Sequence, residues 1–146
     1  MYKRQGSIVR ETTLKEGFLF KAPLIEYYLK DDEKNDPLLT DDRLWFMGLK
    51  EWSDEINGHA LRINRTLIEI FDKIGFTLVD FKMEFGWDAK KKVILADELS
   101  PDSMRLWKKG TTESFDKDLF RNGEGDIVEA YQYILSKLEH LLQEAN

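Results

Sequence analysis

The sequence predicts an α+β fold, in which an antiparallel sheet with a β-hairpin is packed by helices. Three observations predict it: a strand-like alternation over residues 77–85, a second strand over residues 93–96 after a polar turn, and two segments with apolar residues at spacings of three and four. At 146 residues and 42% hydrophobic content, the chain is long enough for one domain with a sizeable core.

The first half of the chain supplies one strand and two helices. Residues 24–29 are aromatic and branched, which favours a strand. Thr40 is the predicted N-cap of a short helix that stops near Gly48, and Ser53 is the predicted N-cap of a longer helix that ends at Gly75. The longer helix carries one apolar stripe, formed by Ile56, Ala60, Ile63, Leu67, Ile70 and Ile74.

The second half of the chain continues from the hairpin into a loop and a final helix. The Ser-Pro-Asp turn at residues 100–102 leads into a predicted loop that contains Arg105 and Trp107. A last helix begins at about Asp126. Its predicted apolar face consists of Ile127, Tyr131, Ile134, Leu135, Leu138 and Leu142.

Composition argues against several classes of function. A net charge of −6 and a pI of about 5.0 argue against a nucleic-acid partner, and residues 90–92, three lysines, form a hydrophilic hairpin tip. No apolar run is long enough to span a bilayer, so we expect no membrane partner and a cytoplasmic location. The chain has no cysteine. His59 and His140 fall on predicted helices without a second histidine at ligand spacing, which indicates surface histidines.

Charged residues alternate with apolar ones along the strand over residues 77–85. Asp80, Lys82 and Glu84 fall on one face, because successive side chains of a strand point to opposite faces. A lysine that meets a phosphate beside an acid that holds a cation forms a workable surface for phosphoryl transfer. The alternative is an ordinary antiparallel strand with one solvated, charged face.

Four spaced segments together resemble the SAICAR synthetase family. They are Gly6-Ser7 followed by PLIEYYLKDD (residues 23–32) and Asn35-Asp36-Pro37, VDFKMEFG (residues 79–86), DELSPDSMRLW (residues 97–107) and DKDLFR (residues 116–121). Each segment alone is weakly specific, and their order and separation carry the resemblance. It extends from Gly6 to about Leu138.

The resemblance implies an ATP-dependent carboxylate-amine ligase of de novo purine biosynthesis. Such an enzyme couples the carboxylate of the ribonucleotide CAIR to the amine of L-aspartate, giving SAICAR, with ATP and Mg²⁺. The resemblance places Lys82 beside the transferred phosphate as the catalytic residue and as a contact of ATP, and it places Lys30 near ATP. It also implies that Glu84 and Asp97 hold the magnesium ion, a role that suits hard oxygen ligands.

The same resemblance implies a set of residues around CAIR. It places Ser7, Asp36, Asp80, Arg105 and Arg121 in contact with that substrate. A guanidinium can grip phosphate or carboxylate through paired donors, which suits the two arginines to this role. Taken without the family, Arg105 and Arg121 read as surface arginines that are paired with neighbouring acids.

The chain also departs from the family pattern. Family members begin with another lobe, which holds a Gly-rich stretch and lysines for ATP, and residues 1–5 do not match what precedes Gly6 in the family. We therefore expect a non-family start at residues 1–5 and a C-terminal portion at residues 6–146 that binds substrate, magnesium and ATP. This portion is expected to be inactive alone, and a homo-oligomer is a candidate assembly. The turn between Glu84 and Asp97 is one residue longer than is usual in the family, which leaves the hairpin register open.

Two other classes of function are compatible with the sequence. One is a non-catalytic, acidic interaction module that retains an enzyme-like fold, and the other is a standalone kinase-like nucleotide binder, which the absence of a phosphate loop disfavours. The ligase hypothesis requires charged residues to converge on one concave face, whereas a module can leave them dispersed. The deciding residues are Lys82, Glu84, Asp97, Arg105 and Arg121.

Overall fold

The computed structural model describes residues 14, 15, 17–115 and 126–144. Within these ranges lie three α-helices, α1 (Asp41–Phe46), α2 (Lys50–Lys73) and α3 (Ile127–Glu144). The strands in the same ranges are β1 (Tyr27–Tyr28), β2 (Leu38–Leu39), β3 (Phe76–Phe81), β4 (Glu84–Trp87), β5 (Val93–Ala96) and β6 (Met104–Lys108). They form three antiparallel pairs, β1–β2, β3–β6 and β4–β5, so the chain has the α+β composition that the sequence predicts.

The core lies where the β3–β6 pair meets the end of α2 and one side of α3. Its buried members are Phe71, Ile74, Phe76, Leu78, Met104, Leu106 and Ile134. Leu106 and Ile134 are almost completely removed from solvent, at 0% and 1% exposure. Burial of large apolar side chains is the main stabilising contribution to a fold, so β3 and β6 are its best-anchored strands.

The single strand predicted over residues 77–85 is divided in two. β3 ends at Phe81 and β4 begins at Glu84, and the two strands pair with different partners. The backbone N–H of Lys82 donates to the carbonyl oxygen of Ser103 at 2.8 Å, directly beyond the end of the β3–β6 ladder. The chain therefore passes from one strand pair to the next at residues 82–83, and the hairpin predicted with residues 93–96 involves only β4.

The β3–β6 register corrects two further predictions. A register shift between Leu78 and Asp80 places Leu78 and Val79 in succession among the buried residues, so the strict alternation predicted for this strand is wrong. The loop predicted around Arg105 and Trp107 is also wrong, because both residues lie on β6. β6 has only five residues, too few for a period-two pattern to stand out in the sequence.

The helix ends follow their local signals with one exception. Thr40 caps α1 as predicted, since its Oγ1 accepts the N–H of the third helical residue at 3.3 Å, and Gly48 follows the helix at φ +69°. α2 ends before Gly75 at φ +87°, as predicted. Its start differs: Ser53 is buried inside the first turn and its Oγ donates to the carbonyl oxygen of Lys50 at 2.7 Å, so it does not cap the helix.

The final helix begins after Asp126, close to the predicted position, and packs through a narrower face than predicted. Ala130 and Ile134 are buried, whereas Leu135 and Leu142, which we expect on the same face, are largely exposed. The contacting stripe therefore passes to one side of these two leucines. Across the described ranges, none of the helices combines the length and the apolar character needed to cross a bilayer.

The first strand pair is shorter than the sequence predicts. Of the strand expected over residues 24–29, only Tyr27–Tyr28 forms β1, which pairs with β2 in the register Tyr27 to Leu39. The Tyr27 hydroxyl lies 2.8 Å from the carbonyl oxygen of Ser53 and 2.9 Å from Oδ1 of Asn57, both on α2. These contacts hold the β1–β2 pair on α2.

Candidate functional site

Three charged side chains meet beside the gap between β3 and β4. Nζ of Lys82 lies 2.7 Å from Oε1 of Glu84, and Nζ of Lys30 lies 3.3 Å from the same oxygen. Glu84 is the first residue of β4 and its side chain is 25% exposed, whereas both lysine side chains are 61% exposed. We call these three residues the lysine–glutamate cluster.

The contacts within this cluster favour the charged forms of Glu84 and Lys30. Hydrogen bonds from Lys82 and then Lys30 lower the pKa of the Glu84 carboxyl below its ordinary value. The hydrogen bond to Glu84 in turn raises the pKa of the Lys30 ammonium. Two ammonium groups thus lie beside one carboxylate at neutral pH. The ammonium groups can bind a phosphate, and the carboxylate can bind a cation that accompanies it.

A second charged pair lies on the β3–β6 ladder. Asp80 on β3 is the register partner of Arg105 on β6, and Nη1 of Arg105 donates to Oδ1 of Asp80 at 3.1 Å. The two side chains are only 22% and 17% exposed. We call them the aspartate–arginine pair. Because the ladder sets the relative position of both residues, the guanidinium is held in one orientation.

A closed loop joins β1 to β2 and presents Lys30. Oδ1 of Asp36 accepts the N–H of Asp31 at 2.8 Å, and the N–H of Asp36 donates to the carbonyl oxygen of Asp31 at 3.1 Å. The N–H of Leu29 donates to the carbonyl oxygen of Pro37 at 3.0 Å. Lys30 therefore lies between two residues whose backbones are tied across the base of the loop.

Both charged groups face one cavity of about 880 Å³. This volume lies in the range of small-molecule sites. The cavity is lined by the predicted site residues Lys30, Asp36, Asp80, Lys82, Glu84 and Arg105. Its apolar lining includes Phe20, Tyr27, Leu44, Trp52, Ile56 and Phe85. The structure thus brings together charged groups that the sequence separates by up to 75 positions, from Lys30 to Arg105 (105 − 30).

The two predicted magnesium ligands lie at the same end of the β4–β5 hairpin. Glu84 is the register partner of Ala96, and Asp97 directly follows Ala96 in a left-handed conformation at φ +66°. In the part of the chain that the structure describes, no group of three or more His, Cys, Asp or Glu side chains could hold a metal ion. A pair of carboxylates fits Mg²⁺, which commonly takes one or two carboxylates and completes its shell with water and phosphate oxygens.

Some of the predicted positions are not described by the structure. Ser7 and Arg121 lie outside the described residues, as do the segment at residues 116–121 and the predicted start at residues 1–5. The roles of these two residues and the division at residue 6 stay predictions.

Aromatic residues beside the site were not predicted from the sequence. The rings of Trp52 on α2 and Trp87 on β4 lie 4.1 Å apart between centroids, and His59 on α2 lies 6.5 Å from Phe85 on β4. A signal was present, since Phe85 and Trp87 alternate with Glu84 along β4. That alternation indicates a strand with one packed face opposite the acid.

Comparison with known proteins decides the family. A family model described as SAICAR synthetase matches residues 3–138, nearly the whole chain. The chain belongs to the SAICAR synthetase family. The resemblance of the four sequence segments is thereby confirmed.

Relatives in this family agree along most of the chain. Phosphoribosylaminoimidazole-succinocarboxamide synthase of Staphylococcus epidermidis is 44% identical over 138 residues, and its counterpart in Staphylococcus aureus is 43% identical over 140 residues. In both cases the match covers 93% of this chain and 59% of the relative. The chain therefore spans about three fifths of the length of the curated relatives that it matches.

Solved structures of SAICAR synthetases share the fold. A type-2 SAICAR synthetase in complex with ADP superimposes with a TM-score of 0.84 at 39% identity, covering 91% of this chain and 57% of the other. The enzyme from Ehrlichia chaffeensis gives a TM-score of 0.84 at 35% identity, covering 93% of this chain and 60% of the other. The predicted α+β class is confirmed.

Proposed function

We propose that this chain carries the substrate- and magnesium-binding portion of a SAICAR synthetase. The proposed reaction is ATP-dependent ligation of the CAIR carboxylate to the amine of L-aspartate, which gives SAICAR in purine biosynthesis. The observation that carries the proposal is the convergence of the lysine–glutamate cluster and the aspartate–arginine pair on one cavity. A related SAICAR synthetase solved with ADP supports a nucleotide as one ligand.

This convergence favours the ligase over a non-catalytic interaction module. A module that merely retains the fold has no need to place Lys82, Glu84 and Arg105 around the same space, yet all three line the cavity. Asp97 directly follows Ala96, which lines the cavity as well. The described part of the site therefore favours the ligase.

Lys82 is suited to the phosphoryl-transfer step. In that step a carboxylate oxygen of CAIR bonds to the γ-phosphorus of ATP and the bond to ADP breaks, which gives an acyl phosphate. Such a step needs positioning and neutralisation of charge more than it needs a nucleophilic side chain. The Lys82 ammonium supplies a positive charge at the cavity wall, and Lys30 supplies a second one 3.3 Å from the same Glu84 oxygen.

The second step joins aspartate to the activated carboxyl group. The aspartate amine attacks the acyl carbon, the C–N bond forms, the amine loses a proton and inorganic phosphate leaves. Arg105 is suited to hold an anionic group of CAIR through this step, because Asp80 fixes the orientation of its guanidinium. A fixed guanidinium lowers the entropy that is lost on binding.

Glu84 and Asp97 are the residues that would hold Mg²⁺. When bound, the ion would offset part of the negative charge of the nucleotide phosphates. Glu84 is suited to this role because a carboxylate is the hard oxygen ligand that Mg²⁺ prefers. Its position at the first residue of β4 places it at the cavity wall.

The proposal is tested by measuring product. The purified chain is supplied with CAIR, L-aspartate, ATP and Mg²⁺, first alone and then joined to the part of the Staphylococcus epidermidis relative that this chain does not cover. We expect SAICAR from the joined protein and little from the chain alone, because a nucleotide on an open site is exposed to water. A joined protein that folds, binds none of the substrates and forms no SAICAR would contradict the proposed function.

A further inference from the structure

The Asp36 carboxylate is turned toward the backbone of its own loop. We infer that Asp36 is a positioning residue for Lys30, acting through the hydrogen bonds within its own loop. This inference rests on the proposed function, because Lys30 matters only if the cavity binds a phosphate-bearing ligand. It makes the shape of the β1–β2 loop a determinant of the affinity for ATP.

The hydrogen bonds of Asp36 are local and reciprocal. Its Oδ1 accepts the N–H of Asp31 at 2.8 Å, while its own N–H donates to the carbonyl oxygen of Asp31 at 3.1 Å. The two residues are five positions apart, so this pair of bonds closes the loop at the residue that follows Lys30. A side chain bound in this way sets the backbone at Asp31.

The backbone of this loop needs such support. Asn35 and Asp36 both have left-handed conformations, with φ of +55° and +45°. Asn and Asp tolerate this region better than other side chains do, but it is still sparsely populated. Pro37 follows, and a proline disfavours helical conformations in the residue before it. A conformation of this kind persists only where surrounding bonds enforce it, and the bonds to Asp31 do so.

The position of Lys30 depends on the same loop. Among the described strands, β1 and β2 pair only with each other, so no larger sheet fixes the chain at Lys30. Its Nζ nevertheless reaches Oε1 of Glu84 at 3.3 Å, across the gap between two separate strand pairs. The loop bonds made by Asp36 thus set the position from which this ammonium reaches Glu84.

Asp36 is a better residue to change than its partner. Asp31 also accepts the N–H of Lys34 through its side chain and forms an ion pair with the Lys34 ammonium, so changing it would remove several contacts at once. Three substitutions at Asp36 separate its properties. D36N keeps an acceptor oxygen and tolerates the left-handed backbone, D36G keeps only the backbone freedom, and D36A keeps neither.

The kinetic test uses the joined protein described above. We expect D36N to keep the KM for ATP within about threefold, and D36G and D36A to raise it about tenfold or more, with the KM for CAIR unchanged in all three. K30M should raise the KM for ATP by a similar factor, and adding D36G to K30M should raise it little further, because both changes remove the same ammonium from the site. An increase in the KM for ATP as large in D36N as in D36A, or a raised KM for CAIR, would overturn the inference.

A second measurement does not depend on activity. In the 146-residue chain, amide hydrogen exchange at Asp31 should stay slow in D36N and become fast in D36G. Unchanged exchange at Asp31 in D36G would overturn the inference even if the joined protein formed no product. Absence of product with the expected exchange pattern would instead count against the proposed function alone.

Discussion

The two charged groups at the cavity are held in place by different means. Asp80 and Arg105 face each other across β3–β6, the strand pair that also supplies much of the core. Lys30, Lys82 and Glu84 come from three different segments, namely the β1–β2 loop, the gap after β3 and the start of β4. The aspartate–arginine pair therefore inherits its geometry from the core, whereas the lysine–glutamate cluster depends on contacts between surface segments.

β4, which carries Glu84, is also held differently from the β3–β6 pair. Among the described strands, β4 and β5 pair only with each other, so no ladder ties them to β3–β6. Aromatic contacts attach them to α2 instead: Trp87 lies against Trp52, and Phe85 faces His59. Side chains on one face of β4 thus anchor the strand, and Glu84 lies on the other face. We expect the cluster to adjust to a bound phosphate more readily than the pair can.

The largest effect should come from the magnesium ligands. E84A or D97A should weaken Mg²⁺-dependent binding of ADP by at least about a hundredfold, because even partners that only orient a metal ligand are worth about ten- to a hundredfold in affinity. Calorimetric titration of the joined protein with ADP, with and without Mg²⁺, measures this effect. Thermal unfolding of E84A should change little, since a partly exposed acid contributes little to stability, whereas D97A also places alanine in a left-handed conformation. Unchanged Mg²⁺ dependence in both variants would remove these residues from the site.

Lys82 should affect turnover strongly. K82M should lower kcat by roughly a hundredfold or more, the order expected when one positioned electrostatic group is removed. K108M is a matched control, because Lys108 is equally exposed at 61% and also faces an acid, Glu113, but lies outside the cavity lining. Similar kcat values for the two variants would show that Lys82 has no special role.

Arg105 should act on binding more than on turnover. R105A should raise the KM for CAIR about tenfold or more, with a smaller change in kcat, because a bond that is equally strong in the ground state and the transition state contributes uniform binding. R105K keeps the charge but loses the planar fork, so it should recover only part of the affinity. If R105A instead left the KM for CAIR normal and raised the KM for ATP, Arg105 would belong to the ATP site and not to the CAIR site.

A smaller effect should follow from loosening β4. W87A removes the ring that lies against Trp52, so it should raise the KM for ATP a few-fold and leave the KM for CAIR unchanged. W87F keeps an aromatic contact and should restore most of the affinity. Steady-state kinetics of both variants, with CAIR and ATP varied in turn, measure this difference. Equal changes in both KM values would show that the hairpin supports the whole cavity and not the cluster alone.

Local signals were sufficient for much of the fold. The cap at Thr40, the stop at Gly75 and the hairpin tip at residues 88–92 follow from short-range rules that act within a few residues. Lys82 and Glu84, only two positions apart, meet as the strand pattern suggests, although the single strand that this pattern assumed is divided at residues 82–83.

Non-local pairing accounts for what the sequence did not reveal. β3 pairs with β6, whose residues lie 23 to 32 positions further along the chain (104 − 81 to 108 − 76), and this pairing produces both the register shift near Asp80 and the end of the strand at Phe81. The contact between Asp80 and Arg105 depends on that register. Lys30 lies in the β1–β2 loop and Glu84 begins β4, so the two residues are distant in the chain and belong to separate strand pairs. Only the family resemblance predicts that both residues lie near one ligand.

The most direct test of this account is a crystal structure of the joined protein with ADP and Mg²⁺. We expect phosphate oxygens within about 3.2 Å of Nζ of Lys82, and a magnesium ion bound by Glu84, Asp97 or both. We also expect that Arg105 remains on Asp80. A nucleotide bound on another surface, with the contacts of Lys82 and Lys30 to Glu84 intact, would contradict this account.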